Sequence, residues 1–229
     1  MHTPNILIAG ASRGIGLGLV ETWLIKGARV RALIRSPNAT LLQLHDRFHT
    51  QLSLIEADMT ADDCIHKVLA DLGDEQLDML VLNAGQYGPA AQDVLTTSST
   101  EVADLFMTNA IAPMRLARAL QDRVLSSGVI AFMSSQMASV ELALARDMPL
   151  YGASKAALNS LIRSWSHSAD APKASLLALH PGWVKTDMGG EQAPVEIADS
   201  VNGLIQVMEK QAGRGGCYFR SYDQQVLAW

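Results

Sequence analysis

Short apolar runs alternate with segments of helical period along almost the whole chain, and this alternation leaves few folds open. "NILIAG" (5–10) reads as a buried strand and "GIGLGLVETWLIKG" (14–27) as a helix. "RVRALIR" (29–35) is a second strand, followed by a helix to about His49. "QLSLIEAD" (51–58) is a third strand, followed by a helix over Asp62–Leu72. "LDMLVLNAG" (77–85) is a fourth, and a long helical stretch runs from about Ser99 to Leu125. "GVIAFMSS" (128–135) is a fifth strand and "KASLLALHPG" (173–182) a sixth. An amphipathic helix follows over 195–210, and "GCYFR" and "QQVLAW" close the chain. Strands that are apolar throughout are covered on both faces, which predicts βαβ units and a parallel sheet with right-handed crossovers. Ligands of such sheets bind beyond the carboxyl ends of the strands, where the strand order reverses.

Other classes are disfavoured by composition. Lys plus Arg is 18 against 23 Asp plus Glu, a formal charge of −5, which argues against a nucleic-acid partner. No segment has the apolar length of a membrane-spanning helix, and the amino terminus lacks the pattern of a secretory leader. Cys64 and Cys217 form no CxxC pair and read as buried, reduced thiols. A cytoplasmic protein without membrane contact is expected, and with no repeat or linker, one domain.

Three features lie on the expected ligand edge. "GASRGIG" places Gly10, Gly14 and Gly16 between the first strand and first helix, where backbone can approach a diphosphate and helical N–H groups can face it. "LVLNAG" ends the fourth strand in Asn83, Ala84 and Gly85, and Ser134 and Ser135 end the fifth. In "PLYGASKAALNSLI" (149–162), Tyr151 and Lys155 stand four residues apart on one helix face. Leu150, Ala157, Leu158, Leu161, Ile162 and Trp165 form a core-facing stripe beside them. A free phenol has a pKa near 10 and is a poor base at neutral pH, and a neighbouring ammonium favours its ionised form.

These motifs, with "EADMT" after strand three, "TNAIAP" in the long helix and "HPGWVKTDM" after strand six, resemble the short-chain dehydrogenase/reductase family in its non-extended form. Within it they are most similar to the C-factor and sniffer-like carbonyl reductases. The resemblance implies an α/β, single-domain Rossmann fold over 1–229, a doubly wound parallel sheet of about seven strands with helices on both faces and the active site built in. Ser135 precedes Tyr151 by 16 residues, a longer gap than is usual in the family, and "VELALARDMP" reads as an extended loop there.

The resemblance also implies roles. Tyr151 donates a proton to a carbonyl oxygen that Ser135 holds, Lys155 holds the nicotinamide ribose, and Asn109 supports a water that relays protons to Lys155. It implies an NADP(H) site formed by Gly10, Ser12, Arg13, Gly14, Ile15 and Gly16, by Arg35 and Ser36, and by Asp58 and Met59. Asn83, Ala84, Gly85, Tyr151, Lys155, Pro181, Gly182, Val184 and Thr186 complete it. Asp58 would meet the adenine amino group, Asn83 and Gly85 the adenosine ribose, and Pro181, Gly182 and Thr186 the carboxamide. NADP rather than NAD is expected from the residues themselves. No acidic residue occurs from Thr22 through His45, where an NAD site would place a carboxylate for the ribose hydroxyl. Arg13 and Arg35 would instead meet a 2′-phosphate, with Ser36 adding a hydrogen bond.

The expected substrate is a small-molecule carbonyl or alcohol, with Trp183, Met188 and Met137 available for an apolar pocket. The short "GGEQA" (189–193), with its two glycines, suggests a mobile, open cover. A homodimer or homotetramer is the family's usual assembly. "HDRFH" (45–49) mimics half of a zinc helix but lacks the glutamate base and a third ligand, and reads as a solvated helix face, so no metal is expected. Two other readings fit the same frame: a regulatory protein that binds NADPH with little turnover, and an epimerase or dehydratase on a related fold. The intact Asn-Ser-Tyr-Lys set speaks for turnover.

Overall fold

In the computed structural model, which describes residues 2–229, the apolar runs form one sheet. Its strands are β1 (Asn5–Ala9), β2 (Arg29–Ile34), β3 (Leu52–Glu56), β4 (Leu77–Leu82), β5 (Val124–Met133), β6 (Ser175–His180) and β7 (Cys217–Ser221). Their order is β3-β2-β1-β4-β5-β6-β7, and every pair is parallel. The order reverses between β1 and β4, where Ile6 stands beside Val30 on one side and Met79 on the other. That is the place where such a sheet opens a crevice at its carboxyl edge.

The strands' two-residue side-chain period sends alternate residues into separate cores. Ile6, Ile8, Val81 and Leu179 pack under α1 (Gly14–Ile25), α2 (Ala39–Arg47) and α7 (Ile197–Gln211), with Leu19, Leu41 and Leu204 from those helices. Leu7, Leu80, Phe132 and Ala178 pack under α3 (Cys64–Leu72), α5 (Ala112–Leu120) and α6 (Pro149–Ser166), with Val68, Leu116 and Leu158. Helices therefore cover both faces, as the unbroken apolar strands require.

The largest departures from the sequence expectation lie in the long helix and at the start of β5. The long helix is not continuous. It runs as α4 (Ser99–Phe106), opens into a π-helical turn at Met107–Ile111 and resumes as α5. Pro113 has no N–H to give the carbonyl of Asn109, four residues before it, so the α-helical pattern cannot pass this point unaltered. At the other end β5 begins at Val124 rather than Gly128, through a bulge that shifts the register between Leu77 and Met79. The start of α4 is fixed by a reciprocal cap, in which Ser98 and Glu101 each accept from the other's backbone N–H.

His180 ends β6 almost fully buried, and its Nδ1 has no partner. Burial pushes its pKa down to about 4, against a smaller upward pull from Asp223. Between pH 6.5 and 4 the unfolded chain therefore takes up a proton that the folded one refuses. Stability falls as pH falls through this window, by about 3 kcal/mol at its lower end if His180 acted alone. Thermal melts at pH 5 and pH 7.5 should show a smaller loss for His180→Gln than for the unmodified protein. An unchanged difference would mean that His180 does not sense the acid.

Candidate active site

The crevice at the β1/β4 reversal is a cavity of about 400 Å³. One end is bounded by Arg35, Asp58 and Met59, the middle by Gly10, Ser12, Arg13, Gly14 and Ile15, and the other end by Tyr151, Lys155, Pro181 and Thr186. Asn83, Ala84 and Gly85 form the wall opposite the glycine turn. Gly10 has φ +81°, and a Cβ there would lie 2.6 Å from the Ala84 backbone, so the two strand ends meet only because this residue is glycine. The Asn83 side chain donates to the Gly10 carbonyl at 2.8 Å and ties them together. α1 begins at Gly14 with no side-chain cap and no acidic residue in its first turn, which leaves its first N–H groups facing the cleft for an anion.

Asp58 is braced by Thr60, whose N–H and hydroxyl both donate to the same carboxylate oxygen, at 2.8 and 2.7 Å. These bonds hold its pKa below the usual carboxylate value, against the opposing effect of burial, and the nearby Arg35 charge adds to them. The second carboxylate oxygen is left for a ligand. Arg13 is exposed and turned across the mouth of the cleft to Asp187, at 3.1 Å.

At the far end four side chains come together. Tyr151 and Lys155 lie on the first turns of α6, both buried. Lys155 Nζ donates to the Met133 carbonyl at 2.8 Å and stands 6.0 Å from the Tyr151 ring centre. Burial pushes the lysine's pKa down to about 8. The Tyr151 phenol is raised above its ordinary value, first by burial and then by Tyr87, while a hydrogen bond from the Ser135 side pulls the other way. Its neighbour in the "SS" pair differs: the Ser134 hydroxyl donates to Asn159 Oδ1 at 2.7 Å. Asn109 is fully buried in the π turn. Its Oδ1 accepts from the Gln86 N–H, and its Nδ2 donates to the Gln86 carbonyl and to Ser154 Oγ. Gly85 lies against this cluster, since a Cβ there would be 3.2 Å from Lys155 Nζ and 3.3 Å from Asn109 Oδ1.

Some expected residues stand behind the cleft wall rather than in it. Gly16 packs on the Gly10 carbonyl, Gly182 (φ +89°) against the Tyr222 ring, and Val184 is buried in a bridge to Val195. Ser36 is exposed in the bend after β2. Asn109 and Ser135 reach the site through Gln86 and Tyr151. The 189–193 segment is not a loose cover: Trp183 Nε1 donates to the Gly189 carbonyl and Thr186 accepts from the N–H groups of Gly189 and Gly190. Wall residues that the sequence reading passed over include Thr60, Gln86, Thr108 and Asp187. For Thr60 a signal existed, because Asp-x-Thr is a local side-chain-to-backbone motif. Among the described residues no group of His, Cys, Asp and Glu is placed to hold a metal, His45 and His49 included.

The sequence model described as short chain dehydrogenase matches residues 4–196. The chain is similar to a carbonyl reductase from Pseudomonas aeruginosa solved in complex with NADP, at 50% identity and TM-score 0.94, covering 100% of both chains. It is similar to the carbonyl reductase Sniffer of Drosophila melanogaster, at 31% identity and TM-score 0.90, again over 100% of both. It is also 32% identical over 157 residues to the C-signal of Myxococcus xanthus, covering 67% of this chain and 93% of that protein.

Proposed function

This chain belongs to the short chain dehydrogenase family, and we propose that it is an NADP-dependent carbonyl reductase in which Tyr151 is the general acid and base. The observation that supports the reading is the meeting of Tyr151 and Lys155, with Ser135 behind the wall beside them, at one end of a cleft whose other end holds Arg35 and Asp58, with Arg13 between. The cleft fits a dinucleotide: it is lined by backbone at Gly10 and Gly14, it ends at free helical N–H groups, and it has cationic side chains at its rim. Gly10, Ser12, Gly14 and Ile15 would hold the diphosphate, Asp58 the adenine, and Pro181 and Thr186 the nicotinamide end. Bound NADPH supplies the hydride.

The residues of the chain supply the rest. The raised pKa keeps the Tyr151 phenol protonated at neutral pH, which is the state a proton donor needs. Ser135 lies close enough to that phenol to draw its pKa down against burial, and from there it would hold the substrate oxygen between them. Lys155 remains largely charged below pH 8 and stands beside the phenolate left after transfer, whose charge it would stabilise. Its ammonium has three donors, of which the Met133 carbonyl takes one, leaving two for a ribose. The Asn109 amide spends both its donors and one of its acceptor sites on Gln86 and Ser154, and a relay water would rest on the main-chain carbonyl of the same residue.

Seven apolar side chains stand exposed on segments that leave the carboxyl ends of β4, β5 and β6: Val94, Leu95, Val140, Leu142, Leu144, Trp183 and Met188. They favour uncharged carbonyls without a dedicated polar anchor. Bulky and small aldehydes, ketones and quinones should all be reduced, with modest and comparable kcat/KM, when NADPH absorbance is followed. A preference above about 10⁴-fold for one substrate would require dedicated polar recognition and overturn this point. Tight NADPH binding with no consumption across the panel would favour a regulatory role instead. For assembly, we assign the expected second copy to the face of α5 and α6, where Ile111, Met114, Leu161 and Trp165 line a groove of about 370 Å³.

A further inference from the structure

We propose that the segment 86–92 is a strap that positions the Tyr151 phenol, with Gln92 as its fastening and Tyr87 as its bearing surface; this rests on the reading of Tyr151 as the proton donor. The first turn of α6 starts with Pro149 behind Met148, which has no side-chain oxygen and makes no cap. The N–H of Tyr151 is therefore one of the donors a helix start leaves unpaired. Gln92 meets it from another part of the chain, with Oε1 accepting at 2.9 Å. The same side chain turns its Nε2 back to the carbonyls of Tyr87 at 3.0 Å and Pro89 at 2.9 Å. One amide thus closes the loop on itself and fastens it to the backbone of Tyr151. The other end of the strap is fixed as firmly, because Asn109 holds both the N–H and the carbonyl of Gln86. Between these anchors the Tyr87 ring stands edge-on to the Tyr151 ring, with centres 5.0 Å apart and planes at 89°. This is a favoured aromatic geometry that restricts how the Tyr151 ring can tilt. By covering one edge of the buried Tyr151 ring, Tyr87 would help to keep water from its phenol.

Gln92 and Tyr87 act through Tyr151, so their loss should appear in turnover and in the pH at which Tyr151 ionises, with cofactor binding unaffected. Gln92→Met keeps the length of the side chain and removes its three hydrogen bonds. It should lower kcat by about 10-fold or more, as expected when a reacting group is misplaced by a fraction of an ångström to an ångström, while NADPH Kd stays within about twofold. Gln92→Glu retains an acceptor for the Tyr151 N–H and should recover part of the loss. In alcohol oxidation Tyr151 must shed its proton, so the rate falls on the acid side of its pKa. Loosening the strap admits water, relieves the burial that raises this pKa, and should move that limb to lower pH. Should Gln92→Met not bind NADPH, and so not fold, Tyr87→Leu asks the same question without touching a hydrogen bond to α6. The proposal fails if whichever variant binds NADPH turns over within about threefold of the unmodified protein with its acid limb unmoved. Tyr151→Phe separates this from the underlying reading: full activity there would remove Tyr151 itself, whereas an inactive Tyr151→Phe beside a fully active Gln92→Met would remove the strap alone.

Discussion

Tyr151→Phe should lower turnover by about 10² to 10⁴-fold, the usual contribution of a positioned general acid, with NADPH affinity almost unchanged. The substitution is conservative in packing. The phenylalanine ring keeps the edge-on contact with Tyr87 at 5.0 Å, and the backbone N–H stays on Gln92. What disappears is one hydroxyl, with its proton. Two nearby groups are already engaged. The Lys155 ammonium is held against the Met133 carbonyl, and the Ser134 hydroxyl is committed to Asn159. Steady-state reduction of a ketone and titration of NADPH fluorescence check the two halves separately. A Phe variant that keeps more than a tenth of the activity would take the proton-donor role from Tyr151. Loss of NADPH binding in the same variant would mean that the phenol is part of the cofactor site first.

The placement of Tyr151 and Lys155 was legible because a helix brings residues four apart onto one face whatever surrounds them. Their electrostatics were not. The spacing suggests a phenol whose pKa is lowered by its neighbour, but burial acts on both groups: it raises the tyrosine and lowers the lysine. Burial is a property of the packed chain, and local sequence does not carry it. The parallel sheet could be read from strands that are apolar throughout, such as "NILIA", since these demand cover on both faces. The break in the long helix had a visible cause in Pro113, but a proline inside an apolar, helical run is equally compatible with a kink or an end. Other features depend on pairings too distant to anticipate. Arg13 meets Asp187 across the cleft, and Gln92 reaches Tyr151 from an irregular segment with no periodicity of its own. The glycines of 189–193 suggested mobility, yet the Trp183 indole and Thr186 brace that segment, because glycine permits a tight turn as readily as a loose one.

NADPH should bind at least about 10²-fold more tightly than NADH, and Arg35 and Arg13 should account for the difference. Both arginines stand on the cleft wall, Arg35 at the end of β2 beside Asp58 and Arg13 on the glycine turn. No carboxylate occupies the end of β2, so nothing there would take the ribose hydroxyl of NADH or repel a 2′-phosphate. Arg13 has to leave Asp187 to reach a phosphate. That pair is exposed on both sides, at 65% and 76%, and an exposed pair is worth only about 0.2–1 kcal/mol. A hydrogen bond to a charged group contributes about 1.5–3 kcal/mol, or about 10- to 100-fold in affinity, so the exchange favours the phosphate. Arg35→Ala should therefore weaken NADPH by about 10-fold or more and leave NADH nearly unchanged. Raised ionic strength should reproduce part of that loss, because the contacts lie at the rim of the cleft where salt screens them. Removing both arginines should bring the two cofactors to similar affinity by lowering NADPH alone. Equal affinities in the unmodified protein, or a double variant that weakens both cofactors alike, would show that the arginines hold the diphosphate or the fold rather than read the 2′-phosphate.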